Sequence, residues 1–178
     1  MARPVYMERA LFVVGQPSGG KSGHLKAMFL DRRFGNNGNP WERSGRIPPV
    51  ALSNERTLLI FSQSAQERRR SMEQWIARIR ESIRPGRWCF AGALQAVGGD
   101  GLPDALQYVQ AFIEAFSPER IRICFLSPDQ QLRPISDFLD LEQVISAISS
   151  MDGVEGVFVD FRLLDTNAMM MADFFDFT

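Results

Sequence analysis

"GQPSGGKS", Gly15 to Ser22, follows directly on the apolar run Ala10-Leu11-Phe12-Val13-Val14. The spacing G-x-x-x-x-G-K-[ST] is met by Gly15, Gly20, Lys21 and Ser22, and each position has a mechanical reason. Gly15 ends a strand. Gly19 and Gly20 let the backbone, Ser18 included, turn its N–H groups inward around an anion with no Cβ in the way. The helix expected to start near Lys21 directs its positive end at the same anion. Lys21 supplies a compact point charge for the outer phosphates of a nucleotide, and the Ser22 hydroxyl a ligand for Mg²⁺. The flanks agree. Met7 to Val14 reads as a short buried strand, and Lys21 to Arg33 as a helix with Leu25, Met28 and Phe29 on one face.

The economy of lysine sharpens this reading. The chain holds 18 Arg but only Lys21 and Lys26, so lysine stands where a planar guanidinium fork has the wrong shape. A chance match to the motif with this composition is expected in about one chain per thousand. A plain glycine turn is the alternative.

Outward from the loop, five apolar, β-rich runs recur at Arg9–Val14, Thr57–Ser62, Arg87–Ala91, Arg120–Leu126 and Val154–Phe161. Helical patterns separate them. Ala65 to Arg84 places Met72, Ile76, Ile79 and Ile83 on one stripe, with Trp75 beside it. Leu102 to Phe116 has Pro103 in its first turn, and Ile135 to Ser150 has Asp137 as its cap. This order predicts an α/β domain: a mainly parallel five-stranded sheet with helices on both faces, spanning 1–178 without a second domain or repeat. Residues 33–50, "RFGNNGNPWERSGRIPPV", have no usable period and read as a long mobile loop, where Arg43 and Arg46 are outside candidates for contacting a γ-phosphate or second substrate.

With 178 residues, 45% hydrophobic and 23% charged, the chain is that of an ordinary globular domain. No apolar stretch is long enough to span a membrane, and the N-terminus lacks a signal core. Cys89 and Cys124 fall in apolar runs and read as buried free thiols, which points to the cytoplasm. His24, the one histidine, reads as a packing or helix-surface residue, with contact to the nucleotide as the alternative. The net charge of −1 hides an asymmetry: residues 1–98 hold 16 Lys and Arg against 7 Asp and Glu, and residues 99–178 the reverse, 4 against 14. That split implies two opposite faces of one domain or an anionic partner.

The strand, "GQPSGGKS" and the helix after it resemble the P-loop NTPase superfamily, and the alternating βα order looks like that fold. The resemblance implies ATP or GTP with Mg²⁺. GTPases of this type carry an Asn-Lys-x-Asp motif, which a chain whose two lysines precede residue 27 lacks, so ATP is favoured. The superfamily also places an acidic residue at the end of an apolar strand, for the magnesium shell or for water. Here the sequence departs from the pattern, because "TLLIFSQS" and "RWCFA" end without a carboxylate. Asp160 in "GVFVDF" and Asp129 in "ICFLSPD" are equal candidates for that catalytic and metal role beside Lys21 and Ser22, with a capped structural residue as the plain reading of Asp160. Glu67 is a third candidate, for positioning water.

Two further stretches bear on partners. Ala65 to Arg87 holds seven Arg against Glu67, Glu73 and Glu81, so the Arg68–Arg87 helix is a nucleic-acid contact, a docking face for an acidic protein surface, or a solvated face of Glu–Arg pairs. The apolar and acidic tail 166–178 either packs on its own domain or serves a protein partner or self-association. The expectation is an ATP–Mg²⁺ binding protein, a slow ATPase whose nucleotide state controls association with a larger partner complex. A small-molecule or nucleotide kinase and a non-hydrolysing nucleotide-binding scaffold subunit are the alternatives.

Overall fold

A computed structural model describes residues 4–34 and 47–177. The chain runs β1 (Val5–Gly15), α1 (Lys21–Ala27), β2 (Val50–Ala51), β3 (Arg56–Phe61), α2 (Met72–Ser82), β4 (Gly86–Gln95), α3 (Ala105–Phe116), β5 (Arg120–Leu126), α4 (Leu141–Ser149), β6 (Val154–Val159) and α5 (Leu164–Asp173). One sheet has the order β2-β3-β4-β1-β5-β6. Among the described residues only the β2–β3 pairing is antiparallel.

β1 lies in the middle of the sheet, and its side chains alternate between two cores as a period of two requires. Ala10, Phe12 and Val14 face a core with Trp75 and Ile79 of α2, Tyr108 and Phe112 of α3, and Val144 and Ile148 of α4. Leu11 and Val13 face the other core, with Leu25 of α1 and Met171 and Ala172 of α5. Aromatic edges knit the first core: Phe12 meets Phe112 at 5.4 Å and 82°, and Trp75 meets Tyr108 at 5.5 Å and 90°.

The sheet has six strands where five are expected. The extra one is the two-residue edge pairing of Val50–Ala51 with β3, too short for any alternation to mark it. Helix boundaries move for reasons of capping. α1 stops at Ala27 and tightens into 3-10 turns at Met28–Leu30 and Arg32–Phe34. α2 starts at Met72, not Ala65, because Ser71 and Gln74 close a capping box. α3 starts after Asp104, which caps it with Gln107, so Pro103 precedes the helix. α4 is capped by Asp140, whose carboxylate accepts from the Glu142 and Gln143 N–H groups. Asp137 instead ends a 3-10 turn, Ile135–Asp137. β6 stops at Val159, two residues short of its expected end.

The tail packs on its own domain. Phe174 and Phe175 are buried in the second core. The basic first half holds them there: Arg56 donates to the carbonyls of Phe175 (2.7 Å) and Asp176, Arg9 to that of Phe174 (2.5 Å), and Arg33 pairs with Asp173 at 2.6 Å. Part of the charge asymmetry is thus satisfied inside one domain.

Candidate functional site

The connection leaving β1 runs through α1 on one face of the sheet, while those leaving its neighbours β4 and β5 run through α3 and α4 on the other. The strand ends at Gly15 therefore open a crevice at a topological switch point, where open α/β sheets bind ligands. Gln16 to Gly20 form the turn that fills its floor. Ser18 and Gly20 adopt φ of 56° and 96°, in the left-handed region, and the Gly19 N–H donates to the Gln16 carbonyl at 3.0 Å. Gly20 is required twice over, because a Cβ there would overlap the Phe161 ring. The stretch after β5 braces the turn. The Gln130 N–H donates to the Gly19 carbonyl (3.2 Å) and the Gln131 side chain to that of Ser18 (2.9 Å).

Lys21 opens α1 with its side chain only 3% exposed. Its Nζ donates to the Gln16 carbonyl at 2.7 Å and lies 3.5 Å from Oε1 of Glu67. Burial lowers its pKa, while Glu67 and then Asp129 oppose that shift. Ser22 donates its hydroxyl proton to the Ser62 carbonyl at 2.6 Å, which leaves the oxygen's lone pairs free. Glu67 is fixed by exchange with Ser64: it accepts from the Ser64 N–H (3.1 Å), and its own N–H donates to the Ser64 hydroxyl (3.1 Å). A cavity of about 370 Å³ lies over this floor, lined by Ser18, Gly19, Lys21, Ser22, Glu67 and Phe161 among others.

His24 supports the floor from below and is fully buried. Its Nδ1 lies 3.3 Å from the Gly20 carbonyl and its Nε2 3.0 Å from the Asn167 amide nitrogen. Asn167 also donates to the Asp160 carbonyl at 2.6 Å. These partners assign the neutral tautomer with the proton on Nδ1, and burial lowers the histidine's pKa in the same sense.

The two acidic candidates stand differently. Asp129 is 2% exposed and lies against Gly19. Its Oδ1 accepts from the N–H groups of Gln131 (2.9 Å) and Arg133 (3.0 Å), and its Oδ2 takes the Arg133 fork (2.9 and 2.7 Å). Burial pushes its pKa up, but these hydrogen bonds outweigh burial and hold it below the usual carboxylate range. Asp160 turns its carboxylate to Arg162, with Nε at 2.9 Å from Oδ1 and Nη2 at 2.5 Å from Oδ2. That fork lowers its pKa to about 2. Neither lines the loop cavity, whereas Glu67 does. Arg43 and Arg46 lie outside the described residues.

The loop, Lys21, Ser22 and Glu67 are thus brought together. Phe161, Gln131 and Asn167 join them without having been legible as site residues. Their signal is spatial, because they come from the ends of β5 and β6 and from α5. No family model, curated protein or solved structure matches this chain.

Proposed function

We propose that Gly15–Ser22 is a phosphate-binding loop of the P-loop NTPase kind. In this reading the chain binds ATP with Mg²⁺ there, hydrolyses it slowly, and uses its nucleotide state to control association with a larger partner. Lys21 carries the reading. A buried ammonium group has three donors to satisfy and a charge to balance. Here it has one carbonyl and a share in a carboxylate 3.5 Å away, and it faces an open cavity. An anion entering the cavity would meet Lys21 together with the left-handed glycine turn.

The residues fit the metal as well. The Ser22 oxygen keeps lone pairs for Mg²⁺, and Glu67 is the carboxylate in the cavity wall among the described residues. Bound there, Mg²⁺ would neutralise charge on the outer phosphates. Lys21 would hold the β/γ-phosphates, freeing Glu67 to orient a water for attack on the γ-phosphorus. The scarcity of lysine, which excludes the guanine-reading motif, favours ATP over GTP. Phe174 and Phe175 of the tail are buried in the second core, so this reading gives the partner another surface.

One observation favours a second reading, nucleotide binding without hydrolysis. Asp129 and Asp160 are both neutralised by arginines of their own segments, which leaves Glu67 alone for the acidic role. Measuring ATP binding and phosphate release separately decides between them. Lys21→Ala is expected to lose both. Glu67→Gln is expected to keep binding within about threefold while losing at least ~100-fold in release, the small end of the range for a general base. Binding with no release in the wild type would select the second reading. Absence of binding would overturn both.

A further inference from the structure

The chain between β3 and α2 separates the loop cavity from a second one. That second cavity, about 260 Å³, is lined by Ser62, Arg68, Arg70 and Arg78 over an apolar floor that includes Leu59 and Phe61. Ser62 belongs to both sides, because its carbonyl holds the Ser22 hydroxyl of the loop site at 2.6 Å. Glu67 faces the loop cavity, and the next residue, Arg68, faces the arginine cavity.

This wall is built to hold its shape. Gln66 is buried, donates to the Gln95 and Pro103 carbonyls (3.2 and 3.3 Å) and accepts from the Gln95 N–H (3.2 Å). Tyr108 of α3 donates its hydroxyl to the Arg70 carbonyl at 2.5 Å. Its cationic side is poorly compensated. Glu67 is committed to Lys21, and Glu73 to the Ser71 hydroxyl of the helix cap. Of these three arginines, Arg78 alone has an acidic partner among the described residues, the exposed Glu81 at 3.3 Å. Three guanidinium groups around one cavity repel one another unless an anion joins them, and their forks match a tetrahedral oxyanion two oxygens at a time. The apolar floor suits an organic body attached to that anion.

We propose that this cavity binds the doubly charged phosphate group of a compact phosphate monoester, through Arg68, Arg70 and Arg78, at a site separate from the nucleotide loop. The site stands on its own residues and does not require the loop to bind nucleotide.

The test is a titration of the wild-type chain with phenyl phosphate, with inorganic phosphate and with phenol, read by backbone amide shifts and calorimetry. Phenyl phosphate is expected to shift the amides of Ser62–Arg70 and Arg78–Ser82 and to saturate, binding more tightly than inorganic phosphate. Phenol is expected not to bind. The Arg68→Ala/Arg70→Ala variant, which removes no ion pair or side-chain hydrogen bond among the described residues, is expected to keep the wild-type circular dichroism and bind phenyl phosphate at least ~10-fold more weakly. Tighter or equal binding of inorganic phosphate at these residues leaves the anion site standing but removes the ester as its ligand. Shifts confined to Gly15–Ser22, undiminished affinity in the arginine variant, or saturation by a single-stranded oligonucleotide but not by phenyl phosphate would overturn the proposal.

Discussion

Lys21 and Gly20 show how much a single position constrains here. Gly20 sits at φ 96° under the Phe161 ring, so its side of the turn tolerates no Cβ. Gly20→Ala is expected to lose at least about 1 kcal/mol of stability from the left-handed backbone alone. It should also lose nucleotide binding, because Phe161 or the turn must move. Urea denaturation beside a binding isotherm checks both. Asp160 gives a second residue-level prediction. Its fork to Arg162 holds the carboxyl near pH 2, below its unfolded value. The stabilisation it provides is therefore present above about pH 4 and is lost as pH falls through about 2. In Arg162→Ala the carboxyl is expected to titrate close to its ordinary value, which removes most of that pH-dependent stabilisation. Carbon-detected NMR titration of Asp160 in both proteins measures the shift.

At the scale of elements, the decisive piece is the stretch from Ser62 to Ser71. Ala65 to Arg70 has good helix formers and reads as the start of a helix, yet the chain there is a turn. Long-range bonds from Gln66 to the end of β4 and a capping box at Ser71 override the local propensity. Glu67 was still a candidate for positioning water, but that misreading hid Arg68 and Arg70 as neighbours around a second cavity. By contrast β1, its loop and the first residues of α1 were legible, since each is encoded by adjacent residues: an alternating apolar run, glycines, one lysine. Asp140 in place of Asp137 as a cap is a smaller error of the same kind, three residues along one loop. The tail illustrates what arginine does between elements. Arg56 is buried against Glu8 at 2.5 Å while holding the carbonyls of Phe175 and Asp176. Arg56→Ala leaves the buried Glu8 carboxylate with Arg87 as its remaining cation and unclips the tail, an expected cost of roughly 2 kcal/mol. Arg78→Ala removes only an exposed pair with Glu81, an expected cost below about 0.5 kcal/mol. Denaturation midpoints of the two variants should differ accordingly.

For the whole molecule, the opposed halves of the sequence become one domain in which basic residues near β1 and β3 clasp the acidic C-terminal segment. The same central strand that organises both cores delivers Lys21 to the crevice at its end. Sheet order was not readable from the sequence, because nothing local says that β4 returns beside β1 while β5 goes to its other side. Among the described residues no helix is long and apolar enough to cross a membrane. The central claim is that the loop at the end of β1 binds ATP–Mg²⁺ through Lys21. Its most direct test is the melting temperature with ATP, GTP, ADP or no nucleotide, each with and without Mg²⁺, for wild type and Lys21→Ala. At about 100 times its dissociation constant, ATP–Mg²⁺ is expected to raise the wild-type melting point by roughly 5–10 °C and to leave Lys21→Ala unmoved. A wild-type protein that no nucleotide shifts, or an equal rise in Lys21→Ala, would contradict it.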